Sequence, residues 1–171
     1  RHTLAVLANG SVRAWGWNAY GQCAVPGTVS NAMQVTGGEA NSLARLANGD
    51  IVAWGAGQSY DGAYPHYGQG VVPADVHDFV DMDSGGYHTI ALRADGTAMA
   101  WGLAEVGLDG VPPDVVDAVD VAAGEFHSLA LLRTGQVIAW GDDWAGQSRV
   151  PADAGPASWI AAGGAFSFSF R

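Results

Sequence analysis

The dipeptide Trp-Gly occurs at Trp15-Gly16, Trp54-Gly55, Trp101-Gly102 and Trp140-Gly141, at steps of 39, 47 and 39 residues. A period near 40 held through a chain of 171 residues means a repeat architecture, in which each unit buries its apolar surface against its neighbours. Other residues keep the same register. Asn9-Gly10, Asn48-Gly49, Asp95-Gly96 and Thr134-Gly135 lie five or six residues before each Trp, and Val25-Pro26, Val72-Pro73, Val111-Pro112 and Val150-Pro151 lie ten or eighteen after it. The long step has one cause. Twelve residues separate Gly55 from Gly68 where the other copies have four, so the second copy carries an eight-residue insertion within residues 56–67, which reads as a surface loop.

Within a copy, short alternating runs such as Ser128–Leu132 and Gln136–Trp140 flank a glycine-containing pair, the pattern of two strands joined by a tight turn. Asn-Gly and Asp-Gly predict a primed hairpin turn, which needs positive φ. Leu4/Val6, Leu43, Ile90/Leu92, Leu129/Leu131 and Phe168/Phe170 share one face of the first strand, and Ala5, Ala44, Ala91 and Ala130 the other. A large face backed by an alanine face suits sheets stacked on both sides. A further strand is expected at 33–35, 80–82, 119–121 and 159–160, giving about three per copy, with the Val-Pro segments open to an additional edge strand. No stretch of twelve residues has helical periodicity free of Gly and Pro. The expectation is an all-β chain, a β-propeller or part of one, with three to four antiparallel strands per blade and repeats near 1–37, 38–84, 85–123 and 124–162, residues 163–171 starting or closing a further blade. The four recurring Trp then read as wedges between blades, beside Ala14, Ala53, Ala100 and Ala139.

Composition narrows function more than fold. With 17 acids against 7 bases, no lysine and a formal charge of -10, the chain repels phosphate backbones, and neither a nucleic-acid nor a membrane partner is expected. The apolar runs fall short of the ~20 residues of a membrane helix. A lone cysteine, Cys23, permits no internal disulfide. His2, His88 and His127 occupy one repeat position, filled by Asn41 and Phe166 in the other copies, so their register reads as structural, a hydrogen bond to a neighbouring turn. His66 lies in the insertion and His77 in the acidic stretch 75–78, with nothing nearby to complete a triad. Asp81/Asp83 and Asp142-Asp143 read as solvated acids before calcium ligands. No catalytic residue, metal or cofactor is expected, and the chain reads as a non-enzyme.

The string Gly124-Glu125-Phe126-His127-Ser128-Leu129-Ala130-Leu131, followed by Gln136–Asp143, Gly146-Gln147 and Val150-Pro151, resembles the short bacterial form of the regulator-of-chromosome-condensation repeat. The likeness runs through nearly the whole chain in four copies and weakens in the third, where Gly107-Leu108 replaces Gly-Gln. It implies a propeller, usually of seven blades, that acts as a protein-binding platform. Repeat length and wording are most similar to the secreted streptomycete propellers that inhibit β-lactamase by plugging its active-site region with loop aromatics. Four repeats against seven leave three arrangements open: part of a longer propeller, a compact closed ring, or self-association through open blade faces.

Loop aromatics follow the Trp-Gly strands where solvated turns do not require them: Trp17, Tyr20, Tyr60, Tyr64, Tyr67 and Trp144. Exposed aromatics commonly anchor interfaces. The resemblance adds the residue just before the His position, which here is Ala40, Tyr87, Phe126 or Ala165. The expected function is protein binding by one aromatic and acidic propeller face, with Asp61, Glu105, Asp142 and Asp143 steering a basic partner. Inhibition of a β-lactamase and self-assembly are the alternatives. The resemblance also suggests a secreted or cell-surface setting.

Overall fold

A computed structural model describes residues 1–74 and 76–170; Asp75 of the acidic stretch, Arg171 and the side chain of Val106 lie outside the described set. The strands are β1 (His2–Val6), β2 (Val12–Gly16), β3 (Ala32–Gly37), β4 (Asn41–Leu46), β5 (Ile51–Gly55), β6 (Tyr60–Ala63), β7 (His66–Tyr67), β8 (Phe79–Ser84), β9 (His88–Arg93), β10 (Ala98–Gly102), β11 (Ala118–Ala123), β12 (His127–Leu132), β13 (Val137–Gly141), β14 (Trp159–Ala162) and β15 (Ser167–Phe170). They form antiparallel sheets in chain order: β1-β2, β3-β4-β5, β8-β9-β10, β11-β12-β13 and β14-β15, with β6-β7 as a separate hairpin in the insertion. The inner strands pack side by side, β3 on β8, β8 on β11 and β11 on β14. The glycine loops following them, at 37–38, 85–86, 124 and 163–164, line one common mouth, so the sheets are blades fanned about an axis.

Each complete blade has three strands. The additional edge strand left open at Val-Pro does not form: Val29, Val115 and Ala154 donate their N–H groups to the carbonyls of Pro26, Pro112 and Pro151, and these local turns leave no extended edge to pair. The hairpin turns are also not primed. Leu7 N–H bonds Ser11, Gly10 N–H bonds Leu7, and Gly10, Gly49, Gly96 and Gly135 have positive φ while the preceding residues do not. That is the pattern of a turn with a glycine bulge, one residue longer than the two-residue hairpin the dipeptides suggested. The inner strands carry bulges between Ala32 and Gln34, Phe79 and Asp81, and Ala118 and Asp120, which put Met33, Val80 and Val119 in solvent.

The core lies between blades. Leu4, Val6 and Val12 of the first sheet meet Ala44, Val35 and Trp54 of the second; Leu43 and Ile51 meet Met82, Ala91 and Trp101; Ile90 and Leu92 meet Val121, Ala130 and Trp140. The large face of one blade therefore packs on the alanine face and Trp of the next, as the alternation predicted. Trp54, Trp101 and Trp140 are buried wedges, whereas Trp15 is 54% exposed, with no sheet among the described residues packed on its face.

Polar groups tie the same seams. The Gln22 carbonyl accepts from Trp54 Nε1 at 2.9 Å and from Ser42 Oγ at 2.8 Å; the Gln69 carbonyl accepts from Trp101 Nε1 and Thr89 Oγ1. His2, His88 and His127 each place Nε2 at 2.8–2.9 Å from the hydroxyl of Ser42, Ser128 and Ser167, forty residues on. Since the single Ser42 hydroxyl proton goes to Gln22, His2 Nε2–H must be the donor. The expected histidine contact with a neighbouring turn thus runs through a hydroxyl of the next blade. Where Leu108 replaces the glutamine, residues Glu105–Gly107 wind into a 3-10 turn and the buried Trp140 N–H has no hydrogen-bond partner among the described residues.

Replacing Trp101 by Ala removes both wedge and bond and is expected to cost about 3–5 kcal/mol, against less than about 0.5 kcal/mol for exposed Trp15→Ala, in urea unfolding. Equal losses would contradict the wedge assignment.

Candidate functional site

The Trp-Gly glycine determines what the blade end presents. At Gly102, with φ of +119°, a Cβ would stand 2.6 Å from the Tyr87 carbonyl oxygen, and at Gly141 one would stand 2.7 Å from that of Phe126. This close approach lets Leu103 N–H and Asp142 N–H bond those carbonyls at 2.9 and 2.7 Å. Trp17 and Ala56 bond Arg1 and Ala40 in the same way. The loop after each Trp-Gly is thereby clamped beside the residue that precedes the His position, and the two rows of candidate residues fall at the same end of the blades.

There the aromatics form one patch. Trp17 meets Tyr20 edge-on at 5.4 Å, Tyr20 meets Tyr64 at 6.2 Å, Tyr64 meets Tyr87 at 6.2 Å, Tyr67 meets Tyr87 at 5.4 Å, and Tyr87 meets Phe126 at 5.1 Å. His66 adds an edge to Tyr20. The rings come from loops of several blades and from the β6-β7 hairpin, so the insertion fills the gap that Ala40 leaves in the row. Loop glutamines hold the backbone beneath: Gln22 and Gln69 accept the N–H groups of Tyr20 and Tyr67 at 2.9 and 3.0 Å.

Three charged residues missed in the sequence sit within this patch. Arg1 pairs with Glu39 at 2.8 Å and lies 5.3 Å from the Trp17 ring centroid. Tyr87 donates its hydroxyl to Glu39, and its acidity is suppressed first by burial, then by that bond and by the charges of Glu39 and Glu125. Burial, then the charge of Glu39, likewise raises the Tyr64 pKa. Glu39 and Glu125 share a repeat position two residues before the His position, a signal that counting only aromatics passes over.

Other predicted residues stand apart. Tyr60 faces solvent, opposite Tyr67 in the hairpin register, and Trp144 is 77% exposed; among the described residues neither ring pairs with a ring of the cluster. Asp61 accepts the Ala63 N–H within its own turn. Glu105 opens the exposed 3-10 turn. Asp143 is held by Arg149 at 2.6 Å, and Asp142 faces Gln147 Nε2 at 3.4 Å.

Asp81 and Asp83, expected as solvated acids, instead lie on the inner strand β8 and are satisfied by the neighbouring blades. Asp81 accepts from Gln34 Nε2 at 2.6 Å and Val121 N–H at 3.4 Å, and Asp83 accepts from Thr36 and Ala123 N–H. Asp120 reaches Ile160 N–H. These carboxylates lace the inner strand of one blade to the next across the axis. Burial, a hydrogen bond shared with Asp81 and the charge of Asp81 push Asp120 up to about 6; burial raises Asp83 too.

Among known proteins, the Regulator of chromosome condensation (RCC1) repeat matches residues 1–22, 79–107 and 118–147, which contain the first, third and fourth sheets. No curated protein matches the sequence. Similar solved structures include yeast RCC1 (Prp20) crystallised with Kap60, at 20% identity and a TM-score of 0.77 over 98% of this chain and 51% of that one. Human WBSCR16 aligns at 18% and 0.77, over 99% and 55%. The ectodomain of the Physcomitrella patens receptor kinase CR4 aligns at 24% and 0.72, over 95% and 42%. These establish the β-propeller fold, and the chain spans about half the length of the proteins it matches.

The Asp120 pKa, raised above the ordinary ~3.9 of an unfolded chain, means the fold binds that proton more tightly, so its contribution to stability falls as pH rises from 4 through 6. His88, lowered by burial to about 4, acts oppositely, losing stability as pH falls below its unfolded value of about 6.5. The difference between proteins isolates Asp120: the Tm of Asp120→Asn relative to the parent should grow between pH 4 and pH 7. A constant difference would contradict the raised Asp120 pKa.

Proposed function

We propose that this chain, a tandem array of regulator-of-chromosome-condensation repeats, is a segment of a protein-binding propeller that takes its partner on the aromatic end of the blades. The observation that carries the reading is the continuity of Trp17, Tyr20, Tyr64, Tyr87 and Phe126, rings supplied by separate blades and held by backbone clamps. A partner covering them would gain large, rigid anchors at low entropic cost. Tyr20 and Tyr64 are its exposed members, and Trp144 serves as an outlying anchor. The acids around the rings favour a partner with a basic patch. Yeast RCC1, with which this chain aligns, was itself crystallised bound to a protein, Kap60. Inhibition of a β-lactamase is a special case resting on the wording of the repeats alone, and an inhibition assay at micromolar protein decides it.

A second reading has its own observation. Phe168 and Phe170 on β15, Trp159 and Trp15 are all more than half exposed, and two copies could cover these faces mutually; a concentration-independent monomer mass would exclude it.

For the main reading, proteins from the source are captured on the immobilised domain and their affinity remeasured with Tyr64→Ala. Weakening of tenfold or more, about 1.4 kcal/mol, is expected, with a Tm shift no larger than about 2–4 °C. Unchanged affinity would contradict the assignment, and unfolding would place Tyr64 in the core.

A further inference from the structure

The aromatic patch already holds one cation. The Arg1 guanidinium lies over the Trp17 ring, pairs with Glu39 and hydrogen-bonds Tyr64, so an indole face, a carboxylate and a phenol converge on a guanidinium. One position in the repeat unites both ends of the patch, because Tyr87 and Phe126 stand where Arg1 stands in the first copy, and Glu125 stands where Glu39 stands. Glu125 is exposed and makes no ion pair among the described residues. Beside it the Tyr87 and Phe126 rings lie 5.1 Å apart and 34° from parallel. The second end thus repeats the aromatic-and-carboxylate chemistry of the first; Arg1 and Glu39 line the same mouth, but among the described residues no guanidinium pairs with Glu125. Arg93, Arg133 and Arg149 pair with acids of their own, and Arg45 is turned to Gln34.

Resting on the reading of this patch as a protein-binding surface, we propose that it recognises an arginine side chain of the partner, stacked against Tyr87 and Phe126 and paired with Glu125. Arginine fits better than lysine because a planar, weakly hydrated guanidinium can stack on a ring while its N–H groups meet a carboxylate. A compact ammonium loses more hydration for the same contact. The net charge of -10 attracts any cation at long range, so preference between two cations, and not binding itself, is the distinguishing property.

The test titrates the full chain with capped tetra-arginine, tetra-lysine and tetra-citrulline peptides at about 0.15 M salt, where long-range attraction is screened. Arginine should bind at least severalfold tighter than lysine, and citrulline should not bind. Glu125→Gln should weaken the arginine peptide about five- to tenfold, and Asp95→Asn, the same charge change in a turn at the other end of the blades, less than about twofold. Phe126→Leu should reduce the arginine preference; if that variant fails to fold, exposed Glu125 still decides. Equal affinity for arginine and lysine, equal effects of Glu125→Gln and Asp95→Asn, or no arginine binding would overturn the proposal. If a captured protein still depends on Tyr64 while these peptides fail, the arginine inference falls and the protein-binding reading stands; independence from Tyr64 removes the latter.

Discussion

A backbone carbonyl at the seam between blades organises much of this chain. The Gln22 carbonyl receives the Trp54 indole and the Ser42 hydroxyl, and that hydroxyl in turn receives His2. One acceptor in a loop of the first blade thereby fixes a strand, a wedge and a histidine across the seam. Burial makes the arrangement consequential, since Gln22 and Ser42 are fully buried and an unmet polar group there would cost about 1–3 kcal/mol. The third copy shows what its loss does. With Leu108 in place of glutamine the loop rewinds, and the Trp140 N–H has no partner among the described residues although its ring stays buried.

The functional face is a by-product of the same geometry. Glycine after each Trp admits the carbonyl of the residue before the His position, so whatever side chains occupy that position and the following loop are held together at the blade end. The Gln22 and Gln69 carbonyls of those loops serve the seam, while the side chains held at these positions make up the face. Here they carry aromatics and acids, and the insertion in the second copy adds Tyr64, Tyr67 and His66 where the row itself has only Ala40.

Much of the fold was legible because the repeat multiplies weak signals. A single Leu-x-Leu beside alanine says little, yet the alternation at the same place in successive copies states which face meets which. Turn type was misjudged because the dipeptides Asn-Gly and Asp-Gly do not reveal which residues the turn hydrogen bonds enclose. The count of three to four strands per blade resolves to three, because Val-Pro in an extended run looks like strand until the proline carbonyl is seen to close a local turn. In the site, six aromatics chosen from the letters meet in space, whereas Tyr60 and Trp144 do not join them, since sequence position cannot say which way a loop leans. Glu39 and Arg1 went unnoticed for the opposite reason: each looks like an ordinary surface charge, and only blade neighbours, about forty residues apart, make them a pair.

The central claim is that partners contact the aromatic end of the blades. The most direct measurement is hydroxyl-radical footprinting of the complex with whichever protein is captured, read side chain by side chain. Protection of Tyr20, Tyr64, Tyr87 and Phe126, with Met33 and Trp15 unchanged, is the predicted result. Protection of Trp15, Phe168 and Phe170 with the tyrosines still reactive would contradict it and move the binding surface to the open faces of the end sheets.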